Sequence, residues 1–157
     1  MKKLYTEKIS NEEFQEVILI YFMWKEINKK IKSLPHTRRI INMPEIISES
    51  LGCYLLNFEI ITKGSGDAFD PITKQIIEFK STSNYNRDVS SFSPKCTFDQ
   101  LYFLRFNTKQ DFVEIYNLNL SYKEFSNLQV SHSQKIGEQQ QEKRRPRLSL
   151  INTIIQP

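Results

Sequence analysis

The stretch running from Asp67 through Asp70-Pro71-Ile72-Thr73 to Glu78-Phe79-Lys80 constrains this chain more than any other. Apolar residues on either side of turn-forming Asp and Pro read as two strands joined by a tight connection. If those strands pair antiparallel around Pro71 to Lys74, Asp70 faces Gln75, and the same register sets Asp67 opposite Glu78. Opposed residues carry Cβ atoms about 4.5 to 5.5 Å apart on one sheet face, so two carboxylates converge. Lys80 projects from that face as well, while Ile77 and Phe79 turn the other way, into a core. A one-residue slip would turn Asp67 away from Glu78. The register that pairs Asp70 with Glu78 runs Pro71 into a strand, where its missing N–H is unwelcome, so Asp70 reads as a turn residue.

Two carboxylates this close raise each other's pKa unless a cation lies between them. Magnesium suits such an oxygen-only site, with manganese as a substitute, because it takes one or two carboxylates together with phosphate oxygens. The Lys80 ammonium beside it could position or deprotonate an attacking water and neutralise a scissile phosphate. Gly64 and Gly66 would let backbone approach a bulky ligand such as DNA. The competing reading is a solvated strand face with an exposed ion pair, which would be worth little.

At 157 residues with 39% apolar content, the chain suits a single domain with one core. No run approaches the 18 or more apolar residues needed to span a bilayer. The apolar segment Val17 to Trp24 follows acidic Glu12, Glu13 and Glu16, unlike a signal peptide, so the expected location is the cytoplasm with no membrane contact. Cys53 and Cys96 lack zinc-site spacing and read as small buried residues. The net charge of +4 permits a polyanionic partner. Most of it sits between residues 135 and 147, where Lys135, Lys143, Arg144, Arg145 and Arg147 face only Glu138 and Glu142.

Apolar residues at spacings of three and four predict a helix over 11 to 34, capped by Ser10 or Asn11 and closed by Pro35. A second helix starts at Pro44 and carries Glu45 and Glu49, four apart, on one face. Strands are expected over 57 to 62, 67 to 80, 101 to 106 and 112 to 118, and a short helix over 121 to 128 with Ser121 and Glu124 as a capping box. After Val130 the chain turns polar and then basic. Its apolar end, Leu148 to Ile155, predicts a last strand or helix that holds the basic segment as a loop.

Two polar segments could serve nucleic acid. Ser81, Ser83, Asn84, Asn86, Arg87, Ser91 and Lys95 follow Lys80 directly and offer donors to phosphate. Gln140, Lys143, Arg144, Arg145 and Arg147 include the types that read base edges: arginine for guanine, glutamine for adenine. An ordinary long loop and a solubilising basic stretch are the plain alternatives. No GxSxG, P-loop or dinucleotide fingerprint is present, and His36 and His132 form no catalytic pair with a nucleophile, which disfavours covalent hydrolases and nucleotide-binding proteins.

Asp67 with Glu78-x-Lys80 resembles the PD-(D/E)XK nuclease motif. The string Ile77-Glu-Phe-Lys-Ser-Thr-Ser-Asn84, the segment Asp88 to Lys95, the run Phe98 to Leu104 and the tail Gly137 to Ser149 together resemble small Type II restriction endonucleases, especially those cutting GC-N-GC palindromes. The likeness covers residues 40 to 155. It implies an α/β, restriction-endonuclease-like core: a central mixed β-sheet flanked by α-helices. The whole of 1–157 is then one nuclease domain, with 1–35 a dimerising N-terminal helix, 40–130 the catalytic core and 131–157 a basic DNA-recognition segment with a terminal element.

That resemblance implies further that Asp67, Glu78 and the main-chain oxygen of Phe79 are metal ligands, with Glu49 ahead of Glu45 as another, and that Lys80 activates water or stabilises charge. Gly66 stands where the motif's name has proline. It implies magnesium-dependent hydrolysis of double-stranded DNA at a short palindrome by a homodimer, leaving 5'-phosphate and 3'-hydroxyl ends, with a cognate methyltransferase in the same host but not bound to it. The helix around Tyr21, Phe22, Met23 and Trp24 is apolar on nearly all sides and is the expected dimer contact. Alternatives are a repair or junction-resolving nuclease on the same fold and a non-catalytic nucleic-acid-binding module.

Overall fold

Alternation along residues 100 to 107 organises the molecule. Leu101 and Phe103 enter one hydrophobic cluster, and Tyr102, Leu104 and Phe106 enter another on the opposite face. Such period-two alternation, apolar on both faces, suits a strand covered on both sides. The computed structural model describes residues 4–36 and 39–157. Its elements in order are β1 (Tyr5–Lys8), α1 (Asn11–Lys32), α2 (Glu45–Leu56), β2 (Glu59–Lys63), β3 (Ala68–Asp70), β4 (Gln75–Thr82), β5 (Ser90–Ser91), β6 (Gln100–Asn107), β7 (Phe112–Asn117), α3 (Tyr122–Ser126), β8 (Gln129–Ser131), β9 (Gln134–Lys135), α4 (Ile136–Gln141) and β10 (Arg147–Leu148). A π-helical turn follows at Ile151–Ile155.

Six strands form the main sheet in the order β1-β2-β3-β4-β6-β7. Only β4 and β6 run parallel within it, so the sheet is mixed, as expected. One face carries α1 and α2 over a cluster that includes Tyr21, Trp24, Ile47, Leu51, Ile77, Phe79 and Leu104. The other is covered by the segment after β4 and the C-terminal third, through Phe92, Phe125, Ile136, Leu150 and Ile151.

Local chemistry accounts for the helix ends. Ser10 and Glu13 form a capping box on α1, and Ser121 and Glu124 form one on α3. Asn57 ends α2 at φ 58°, a left-handed conformation that asparagine tolerates. Pro44 sits just before the first helical residue, a position where its missing N–H costs nothing. Four features have no counterpart in the sequence expectation: β1, the two-residue β5, the β8–β9 hairpin and the six-residue α4. Each is short, with too few apolar positions to show a period.

The C-terminal segment returns to the core in both expected forms, as a strand and then a helical turn. β10 pairs with β5, and Asp88 fastens the turn that follows. The buried Asp88 carboxylate accepts Ser90 Oγ at 2.8 Å, Ser149 Oγ at 2.6 Å, Leu150 N at 2.8 Å and Ile151 N at 3.1 Å. The arginine-bearing loop is thereby held between two anchored ends.

Candidate active site

The β3–β4 hairpin adopts the expected register. Ala68 pairs with Ile77, Phe69 with Ile76 and Asp70 with Gln75. Asp70 does turn work: its carboxylate accepts the Ile72 amide at 2.8 Å and the Thr73 hydroxyl at 2.6 Å. The ladder ends where Asp67 N donates to Ile77 O at 2.9 Å. One step further, the next amide of β4 is taken by a side chain instead, as Phe79 N donates to Asp67 Oδ2 at 2.7 Å. From there to Thr82, β4 is paired only with β6 among the described residues, and its other edge is open.

The cleft lies at that open edge. It encloses about 460 Å³ and is lined by Glu45, Ser48 and Glu49 of α2, Asp67, Phe79 to Ser83 of β4 and its extension, Val89 to Ser91, and Asn42 and Met43. Ile77 and Phe79 are buried toward α2, so Glu78 and Lys80 turn to the opposite face, where Lys80 lines the cleft and Glu78 is buried against it. Acidic groups from a helix on one side of the sheet and from a strand on the other therefore meet around the strand edge, with Asp67 at the vertex. Gly52 brings α2 close, because a Cβ there would lie 2.7 Å from the Phe79 ring.

Electrostatics bear the marks of crowding. Burial, and then the charge of Glu78, raise the Asp67 carboxyl above the ordinary carboxylate range. Burial, and then the charge of Asp67, push Glu49 up to about 7. Burial works to lower the Lys80 ammonium, but the charge of Glu78 and its hydrogen bond to Lys80 at 2.6 Å outweigh it, so its pKa is raised. Lys80 also lies 5.2 Å from the centre of the Phe92 ring, an apolar and cation-accommodating floor.

Among the described residues, no three His, Cys, Asp or Glu side chains are grouped as a ready cation cage. Glu78 is engaged by Lys80, and Asp67 by the Phe79 amide. The donors nevertheless fit a hard divalent ion in kind: all are oxygens, and Asp67 and Glu49 bear unfavourable charge that a cation would relieve.

The expected nucleic-acid contacts divide. Ser81, Ser83 and Ser91 line the cleft, and Ser81 Oγ donates to Ser48 Oγ at 3.0 Å. Asn84, Asn86, Arg87, Lys95, Lys143, Arg144, Arg145 and Arg147 are exposed. Arg144 is paired with Glu142, and Arg147 sits opposite Ser91, whose side chain is in the cleft wall. Gln140 is a correction. It is buried, its amide donates to Ser93 O at 2.9 Å, and its carbonyl accepts Tyr122 OH at 3.2 Å, so it holds α4 to the core and has no edge left to read a base. Gly66 is another: at φ 87° its missing Cβ makes room for Ile76, 2.4 Å from where that atom would be, and not for a ligand. In α1, Tyr21 and Trp24 are core residues, which leaves Leu19, Ile20, Phe22, Met23 and Ile27 as its exposed apolar positions.

Sequence reasoning passed over Asn42, Met43 and Ser48 in the cleft wall, and gave Asp88, the first residue of one resembling segment, no role of its own. None belongs to a chemical pattern: α2 and the segment pinned to α1 bring in the first three, and the returning C-terminal segment engages Asp88.

An acidic cleft with one lysine at the open edge of a mixed sheet is the arrangement of a phosphodiester-cleaving nuclease core, and comparison places the chain in such a family. The Bsp6I restriction endonuclease family matches residues 9–157, and the chain belongs to it. It is 46% identical over 149 residues to the Type II restriction enzyme Bsp6I of Bacillus sp. (strain RFL6), a match covering 95% of this chain and 84% of that protein. No solved structure matches the chain.

Proposed function

We propose that this restriction endonuclease hydrolyses double-stranded DNA in a magnesium-dependent reaction, with manganese as a substitute, at a short palindromic site of the GC-N-GC kind. The observation that carries the reading is the crowding of Asp67, Glu78 and Glu49 at one strand edge beside Lys80. Asp67, Glu78 and the main-chain oxygen of Phe79 would hold the ion, with Glu49 as a further ligand ahead of Glu45. When bound, a divalent ion supplies charge neutralisation at the phosphate and makes a nearby water more acidic.

The chain's own groups do the rest. In the metal-free site the charge of Glu78 raises the pKa of Lys80; beside a bound ion Lys80 would activate the attacking water or stabilise developing charge. The Phe79 amide fixes the Asp67 carboxylate, and the buried Phe79 ring fixes the strand that carries Glu78 and Lys80. Water then attacks in line, leaving 5'-phosphate and 3'-hydroxyl ends. Ser81, Ser83, Asn84, Asn86, Arg87, Ser91 and Lys95 would position the backbone, and Lys143, Arg144, Arg145 and Arg147 would approach base edges or phosphates.

A homodimer is part of the proposal, because a two-fold protein matches a palindrome and each subunit then cuts one strand. Ile20, Met23 and Ile27 recur at three and four along the exposed side of α1 and suit the contact. The cellular setting proposed is cytoplasmic, beside a methyltransferase that protects host DNA; no described helix is long and apolar enough to cross a membrane.

Incubation with unmethylated plasmid in magnesium, followed by sequencing of the fragment ends, tests the reading. A fixed cut within one short palindrome is expected, abolished by EDTA and by Asp67→Ala or Lys80→Ala. A protein that cuts only branched DNA, or nothing at all, would overturn it.

A further inference from the structure

A second concavity of about 360 Å³ lies beside the cleft and shares Ser83 with it. Its wall is basic: Lys25, Lys29 and Lys32 of α1, and Lys109 from the β6–β7 turn. The three α1 lysines recur at four and three, so they lie along one flank of the helix. Ile20, Met23 and Ile27, set off from them by roughly half a turn at about 100° per residue, look elsewhere.

Lysines in a last helical turn stabilise the helix end by themselves, which explains Lys29 and Lys32 in isolation. It does not explain Lys109. That residue comes from a separate hairpin whose turn is held in place by Asn107 Oδ1, which accepts Lys109 N and Gln110 N, both at 3.1 Å. Lys25 is paired with Asp111, but no carboxylate pairs with Lys29, Lys32 or Lys109 among the described residues. Three unneutralised ammonium groups therefore share one concave surface.

That surface is tied rigidly to the cleft. Asn28 donates to Ile41 O at 2.9 Å and accepts Ile41 N at 2.8 Å, while Trp24 Nε1 donates to the same carbonyl at 3.0 Å. The segment so pinned contributes Ile40 to the basic concavity and, two residues on, Asn42 and Met43 to the cleft. A polyanion leaving the cleft past Ser83 meets Lys29, Lys32 and Lys109 next.

We propose that this lysine shoulder takes the phosphodiester backbone of the substrate duplex outside the cleaved site, adding affinity that is independent of sequence. The inference rests on the DNA-cleaving reading above. It places backbone contacts on α1 and the β6–β7 turn, away from the arginine segment.

The test is a Lys29→Gln/Lys32→Gln/Lys109→Gln variant, compared with wild type for binding to specific and unrelated duplexes in calcium across a salt series. Each lost phosphate contact lowers the slope of log K against log salt by about 0.9. A slope reduced by about 2 to 3 on both duplexes, with the single-turnover cleavage rate at saturating enzyme unchanged, is expected. An unchanged slope in a variant that still cleaves would overturn the shoulder and leave the nuclease reading intact. Loss confined to the specific duplex would overturn it as well. A wild type that neither binds nor cuts duplex DNA would remove the nuclease reading, and the shoulder with it.

Discussion

The Asp67 carboxylate accepts the Phe79 main-chain amide at 2.7 Å, two residues along β4 from Ile77, whose carbonyl takes the last backbone bond from the preceding strand. A side chain thereby completes a strand pairing and is held at the vertex of the acidic cleft. Structure and chemistry make different demands on it: the amide needs an acceptor, whereas a cation needs a charge.

Asp67→Asn separates those demands. An asparagine carbonyl can still accept the Phe79 amide, and the repulsion from Glu78 disappears. The variant should melt no lower than wild type in EDTA at pH 8, while cleavage falls by at least about a hundredfold, the scale of losing one electrostatic stabiliser. Asp67→Ala should lose as much activity and also about 1 to 3 kcal/mol of stability, because the amide is left unsatisfied. Paired thermal melts and plasmid cleavage assays decide between these outcomes.

Glu49 gives the apo protein a pH signature. Its pKa is raised from 4.5 to about 7, so the folded state binds this proton more tightly than the unfolded state does. Its contribution is fully present below the unfolded value and is lost as pH rises through the folded one. In EDTA, the melting temperature of wild type should fall more steeply between about pH 5 and pH 8 than that of Glu49→Gln. Magnesium should reverse the trend in wild type by favouring the ionised carboxylates. Parallel slopes for the two proteins would contradict this.

Gly52 is a steric hinge point for the same strand. An alanine Cβ there would lie 2.7 and 2.8 Å from two Phe79 ring atoms, too close for a buried aromatic to accept without movement. Gly52→Ala should cost about 1 to 3 kcal/mol by overpacking. Because Phe79 lies between Glu78 and Lys80, turnover should fall by more than the loss of folded protein explains. Denaturant titration beside single-turnover kinetics measures both.

Asp88 makes a prediction about the C-terminal segment. Its four accepted hydrogen bonds tie the turn at Leu150 and Ile151 to the loop that enters the cleft wall. Asp88→Asn presents one amide nitrogen to groups that are themselves donors, at about 1 to 3 kcal/mol for each donor stranded. Hydrogen exchange at the Leu150 and Ile151 amides should accelerate, and cleavage should become less selective as the arginine loop loosens. Exchange equal to wild type would show that β10 alone holds the segment.

The sequence by itself determined the elements whose signals are local. The α1 and α3 caps and the Asp70 turn are contests between a side chain and the nearest backbone, decided within four residues. The register of Ala68 to Asp70 against Gln75 to Ile77 follows as well, because Pro71 bars the alternative and Ile77 must be buried; Asp67 itself leaves that register, its amide bonding Ile77 O and its carboxylate the Phe79 amide. Only the tertiary structure decided what lies far apart in the chain. It took Gln140 out of the recognition surface by burying its amide against Ser93, and assigned Gly66 to the packing of Ile76. It divided α1 between core, apolar outer side and lysine flank, and made Asp88 an anchor across some sixty residues of chain. The physical reason is that burial and hydrogen-bond satisfaction are properties of the closed structure: a polar side chain becomes a structural tie or a free reader only once its neighbours from distant segments have arrived.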